Sequence, residues 1–146
     1  MIVRAILRLM PNYRRAFIPG GCWFFTVNLL DRRRTLLVDH IDILRKAVTE
    51  TRQSRPFEIK AFVVLPDHLH AIWSLPSGDS DFSTRWRLIK NRFARVLPKE
   101  EQLSSTRIAR NERGVWQRRF WEHLIRDEAD YARHVEYCYI NPLKHR

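Results

Sequence analysis

The stretch from Val63 to Trp73 constrains this chain more than any other. Two apolar runs flank a Pro66-Asp67 turn, and the second carries His68 and His70 on either side of Leu69. Read as a strand over 68–74, its two-residue period puts His68 and His70 on one face and Leu69 on the other. A pair of imidazoles held side by side on a rigid strand can bind a divalent metal, provided a third ligand arrives from elsewhere. Taken alone, a His-x-His pattern is more often one packed and one exposed histidine, because imidazole is common at half-buried strand positions. The case for chemistry therefore rests on what the rest of the chain brings to that face.

The surrounding segments alternate in period. Cys22 to Leu29 is dense in aromatic and β-branched residues and reads as a first strand. Asp39 is placed to cap a helix in which Ile41, Leu44 and Val48 recur on one apolar face, ending near Ser54-Arg55-Pro56. Phe57 to Leu65 reads as a second strand, and the His-x-His strand is the third, ending at Pro76-Ser77-Gly78. Phe82, Trp86, Ile89, Phe93 and Val96 make an apolar stripe, so residues 82–97 are a second amphipathic helix. Pro98 to Gly114 is polar and aperiodic, the mark of a loop. Gln117 to Ile125 reads as a fourth strand. Asp127 then caps a last helix, with Asp130 three residues on, that runs through Tyr131 and Tyr137 to a stop at Asn141-Pro142.

The order β-α-β-β-α-β plus a helix predicts an α+β fold, ferredoxin-like or RRM-like. Its antiparallel four-stranded sheet would carry two helices on one face, and the C-terminal helix would carry the tyrosine. The first and third strands would be central. No repeat, low-complexity segment or internal boundary appears, so residues 1–146 form a single domain, with residues 1–21 as a basic lead-in.

Charge narrows the partner. Lys and Arg total 27 against 16 Asp and Glu, a formal charge of +11, which makes a nucleic acid the default partner. The acidic residues are spread along the chain, so this is a folded basic domain and not a basic tail. The two cysteines form no C-x-x-C pair and no disulfide framework. Arg4 and Arg8 interrupt the opening apolar run, no cleavage site follows it, and no stretch approaches the ~18 apolar residues of a membrane span. The expectation is a cytoplasmic protein with no membrane partner.

On the last helix, Tyr137 and Asn141 stand at i and i+4 and share a face, with His134 one turn earlier. By itself that pair is more often a packed tyrosine and a helix-ending asparagine. Joined to the histidine pair in a chain of this charge, it describes a site. His68, His70 and Asn141 would hold Mg²⁺ or Mn²⁺, a nitrogen and oxygen set without thiolate that suits those ions better than structural zinc. Tyr137 would be the nucleophile. A phenol with a reference pKa of about 10 needs activation at neutral pH, and a metal on the scissile phosphate supplies it.

His68-Leu69-His70 resembles the His-hydrophobe-His motif of HUH single-strand DNA nucleases. With one tyrosine on a C-terminal helix, the chain resembles the single-tyrosine transposases. Gly20 to Leu29, Arg55 to Ile59, Val63 to His70, Arg119-Phe120-Trp121-Glu122-His123 and Tyr139 to His145 resemble REP-associated tyrosine transposases, over about Asn12 to His145. The resemblance implies an endonuclease and strand transferase that cuts single-stranded DNA beside REP-like hairpins. His68 and His70 would ligate the metal, Tyr137 would form a 5′-phosphotyrosine, and Asn141 falls at the third, polar ligand. Tyr131 and Tyr139 are rival tyrosines, but Tyr139 is about 200° round the helix from Tyr137. The resemblance also makes residues 1–11 an N-terminal extension, and relatives typically continue past the position of Arg146.

The DNA-binding residues are less determinate. Tyr13, Arg14 and Arg15 resemble the family's N-terminal Tyr-Arg-Arg, which contacts bases flanking the hairpin. Arg32 to Arg34, Arg85, Arg87, Lys90, Arg92, Arg118 and Arg119 are candidates to follow phosphates. Trp121 or Trp73 could stack an unpaired base, although core packing is the commoner use of each. Glu122 and His123 point to opposite faces, so at most one reaches the site. The competing reading is a non-catalytic binder of structured nucleic acid using an RRM-like sheet. With no apolar stripe left over, the expected state is a monomer.

Overall fold

The computed structural model describes residues 4–7, 20–99, 105–109 and 113–144. In chain order the elements are β1 (Arg4–Leu7), β2 (Cys22–Asn28), α1 (Leu36–Asp39), α2 (Ile41–Ser54), β3 (Glu58–Val64), β4 (His68–Ser74), α3 (Phe82–Val96), α4 (Ser105–Ala109), β5 (Trp121–Leu124) and α5 (Glu128–Lys144). The strands form one antiparallel sheet in the order β1-β3-β4-β2-β5. The expected four-stranded βαββαβ arrangement is present, with the first and third of its strands, β2 and β4, inside. The histidine strand is thus paired on both sides, which fixes its pleat and the direction of its side chains.

Alternation divides the sheet cleanly. Phe25, Val27, Phe62, Val64, Leu69, Ala71 and Trp73 share one cluster with Leu44, Ala47 and Val48 of α2 and with Trp86, Ile89 and Phe93 of α3. Cys22, Phe24, Ala61, Val63 and Ile72 point the other way and pack with Ile125 and with Tyr131, Val135 and Cys138 of α5. Two helices therefore cover one face and α5 covers the other. Both cysteines are free and buried in the α5 cluster, where burial pushes each thiol up to about 12.

Four local expectations are corrected. Residues 4–7, read as lead-in, form β1 and pair with β3 from Arg4↔Val64 to Leu7↔Ala61. Four residues are too few to show a period, and the pairing meets the backbone groups that an edge strand leaves open. Asp39 does not cap α2: it lies in α1 and accepts a bond from Thr35 Oγ1 at 2.6 Å, while His40 precedes α2 without a side-chain cap. Burial of Leu36 and Leu37 draws that turn into a helix of its own. The expected loop after Pro98 contains the short helix α4. The fourth strand is only Trp121–Leu124, because Gln117 is already committed to Asn28 and Leu29 through its N–H and its side-chain amide.

Helix α5 begins as expected, with Asp127 Oδ1 accepting from the Asp130 N–H at 2.8 Å. It does not stop at Asn141-Pro142, however, and the backbone remains helical to Lys144. Pro142 lacks the N–H that would donate to the carbonyl four residues earlier, so the helix gives up one bond, confined to its last turn.

Candidate metal and nucleophile site

His68 and His70 leave β4 on the face covered by α5, with ring centroids 5.0 Å apart, and both are buried. Each ring is oriented through Nδ1. For His68 the partner is Asp67 Oδ1 at 2.8 Å, and for His70 it is Thr26 Oγ1, also at 2.8 Å, from the residue directly across in β2. With Nδ1 as the donor in each pair, Nε2 carries the lone pair that a metal needs. Histidines that bind metals are held in this way, by a carboxylate or another oxygen on the second ring nitrogen. Asp67 is itself tied to the Arg32 guanidinium. Burial disfavours the Asp67 carboxylate, but the bonds from His68 and Arg32 outweigh it and hold its pKa below the ordinary value.

Tyr137 reaches the same place from α5. Its ring lies 5.1 Å from the His70 ring and 5.9 Å edge-on to Phe24, and the residue is 43% exposed. The rival tyrosines are placed differently. Tyr131 is buried in the α5 cluster. Tyr139 lies on another side of the helix, where burial and then the neighbouring Cys138 raise its pKa. The side chain of Asn141 lies outside the described residues, as do Tyr13, Arg14 and Arg15.

A second polar cluster adjoins the first. His123 stands opposite Phe24 in the β2–β5 register and so faces α5, while Glu122 stands opposite Phe25 and faces away. His123 Nε2 lies 2.9 Å from Asp130 Oδ2, and His134 Nδ1 lies 3.1 Å from Asp130 Oδ1 and 2.8 Å from the Asp130 carbonyl. The two imidazoles stack at 4.6 Å. Ligating atoms of the three residues lie within 4.8 Å of one another, close enough to share a metal ion. The hydrogen bonds already made supply the ordinary explanation of that closeness. Burial opposes the Asp130 charge, but the Arg126 N–H, the bond to His123 and the nearby imidazoles outweigh it and bring its pKa down to about 2. Phe24 joins the two clusters, 5.7 Å from His70 and 4.8 Å from His134. The i, i+4 spacing of Asp130 and His134 was visible in sequence; the arrival of His123 depends on sheet register.

The basic residues separate into groups. Arg85 is not placed to follow a phosphate: it is buried, with its guanidinium bonded to Asp79 and to the Arg55, Pro56 and Asp81 carbonyls. Lys90 holds the Gln117 carbonyl at 2.7 Å and Arg92 holds Thr51 Oγ1 at 2.9 Å. These residues and the exposed Arg87 belong to α3, across the sheet from the histidines. Arg118 and Arg119 are exposed beside β5. Trp73 is fully buried and stacked on Trp86 at 4.3 Å, whereas Trp121 is in solvent.

No family model matches the chain. It is 51% identical over 136 residues to the REP-associated tyrosine transposase of Escherichia coli K12, covering 93% of this chain and 74% of that protein. It is 47% identical over 137 residues to a Haemophilus influenzae protein named as a candidate of the same kind, covering 93% and 78%. A solved structure of a REP-associated tyrosine transposase bound to a REP hairpin superposes with a TM-score of 0.73 at 51% identity, covering 93% of this chain and 74% of that one. Among the described residues, no helix is long and apolar enough to cross a membrane.

Proposed function

This chain belongs to the REP-associated tyrosine transposases, and from that premise we propose that it cuts and rejoins single-stranded DNA beside REP-like hairpins through a covalent link to Tyr137. The observation that carries the reading is the convergence of three rings from two elements. His68 and His70 sit 5.0 Å apart on β4, and Tyr137 of α5 sits 5.1 Å from His70.

His68 and His70 fit a divalent metal by their oxygen-anchored Nδ1 atoms, and Asn141 is the proposed third ligand. Mg²⁺ or Mn²⁺ bound there would draw charge from the scissile phosphate. Tyr137 Oη attacks the phosphorus, its proton passes to solvent, and the P–O3′ bond breaks as the departing oxygen takes up a proton. The products are a 5′-phosphotyrosine and a free 3′-hydroxyl. One phosphodiester replaces another, so the link can be passed to a second 3′ end.

The test is to incubate wild-type and Tyr137→Phe protein with end-labelled hairpin DNA bearing unpaired flanks, in Mg²⁺ or in EDTA, and to resolve the products on a denaturing gel. Cleavage and a covalent adduct are expected only for wild type in Mg²⁺, with binding retained by the variant. Tight binding without cleavage would favour a structured nucleic-acid binder instead. Cleavage by Tyr137→Phe would move the nucleophile to another residue.

A further inference from the structure

Trp121 is 64% exposed on β5, the strand at one edge of the described sheet. Its neighbour Phe120 packs beside Phe25, Phe82 and Trp86 on the α3 side, so alternation turns Trp121 to the face that carries the histidines. Register agrees: Trp121 stands opposite Thr26, and Thr26 stands opposite His70. The three form one row, with Trp121 two strand spacings, about 10 Å, from His70. The segment entering β5 is anchored, since Lys90 Nζ donates to the Gln117 and Arg118 carbonyls at 2.7 and 3.3 Å and the Gln117 N–H donates to Asn28 O at 3.0 Å. An indole on so fixed a backbone loses little freedom when a ligand docks.

We infer that Trp121 is a stacking platform for an unpaired nucleobase of the strand whose phosphate is attacked by Tyr137. The inference rests on the nuclease reading for which phosphate lies nearby. Charge names the occupant: Arg119 and Arg118, two and three residues before the indole, are exposed in a chain of net charge +11. On that face of β5 the other side chain is His123, bonded to Asp130, so β5 adds no second apolar residue there. An exposed indole with exposed arginines just upstream in the chain matches a flat base with its phosphates. A protein partner would need a wider apolar patch. At ~3.4 Å per stacked nucleotide, a separation of this size puts the stacked base roughly one to three nucleotides from the scissile phosphate.

The experiment uses the full chain and a DNA hairpin whose flank positions are made abasic one at a time. Affinity is measured for wild type, Trp121→Ala and Trp121→Phe, and cleavage by wild type is followed in parallel. Trp121→Ala should bind the intact flank roughly 5- to 150-fold more weakly, the range for losing one stacked base. Trp121→Phe should keep most of the affinity. One abasic position should weaken wild type by a similar factor and leave Trp121→Ala unchanged. Equal affinity of Trp121→Ala and wild type, or losses that simply multiply at every position, would overturn the inference even where wild type still cleaves. The coupled loss without any cleavage would keep the platform and reject the nuclease. A change in oligomeric state on Trp121→Ala with DNA affinity intact would assign the indole to a second copy of the chain and overturn the inference.

Discussion

His68 depends on its sequence neighbour as much as on its strand. Asp67 bonds Nδ1 of the ring at 2.8 Å and is held in turn by Arg32, so the imidazole is set from one side by a carboxylate that stays charged. Replacing such a partner typically lowers metal affinity about 10- to 100-fold without removing a ligand. Asp67→Asn should therefore raise the Mn²⁺ concentration needed for half-maximal cleavage by about that factor, with saturating metal restoring much of the rate. A loss of rate that no metal concentration repaired would place Asp67 in the chemistry itself. The Asp67–His68 adjacency is plain in the sequence, but the matching support of His70 by Thr26 spans 44 positions and exists only through strand pairing.

At the scale of an element, α5 is the lever that brings Tyr137 to the sheet, and Asp130 is its anchor. That buried carboxylate accepts from the Arg126 N–H at 2.9 Å and meets His123 of β5, His134 one turn on and Arg133. Its pKa is lowered from 3.8 to about 2. A carboxyl depressed in the folded state contributes stability that is fully present above the unfolded pKa and is lost as pH falls through the folded one. Melting temperature should thus fall between about pH 4 and pH 2, and Asp130→Asn should flatten that part of the profile. At neutral pH the same variant should cost roughly 2–3 kcal/mol, the value of hydrogen bonds to a buried charged group. It should also slow cleavage, since Tyr137 rides on the same helix. An unchanged pH profile in Asp130→Asn would assign the acid transition to other carboxylates. The Asp127 cap was readable from its spacing to Asp130, whereas the continuation of α5 through Pro142 ran against local preference.

For the whole molecule, charge and faces act together. A net charge of +11 predicts DNA binding that weakens linearly in log–log terms with salt, each phosphate contact on a single strand adding about 0.7 to the slope. Arg119→Ala, beside the proposed platform, should lower that slope by about 0.7 in fluorescence-anisotropy titrations. Arg87→Ala, across the sheet on α3, should leave it unchanged on the same hairpin. Equal slopes for the two variants would mean that the DNA does not follow the histidine face.

Local pattern by itself determined the order of the main strands and helices, the central position of the His-x-His strand and the shared side of its imidazoles. Period, turn residues and chain order act over a few positions, and those constraints are complete in the sequence. The tertiary structure decided which basic residues are structural, as Arg85 is, and which tryptophan faces solvent. It also decided that residues 4–7 pair with β3, and that His123 meets Asp130 and His134. Those outcomes depend on register between strands far apart in the chain and on which face each helix covers. A residue's own neighbours carry no record of either.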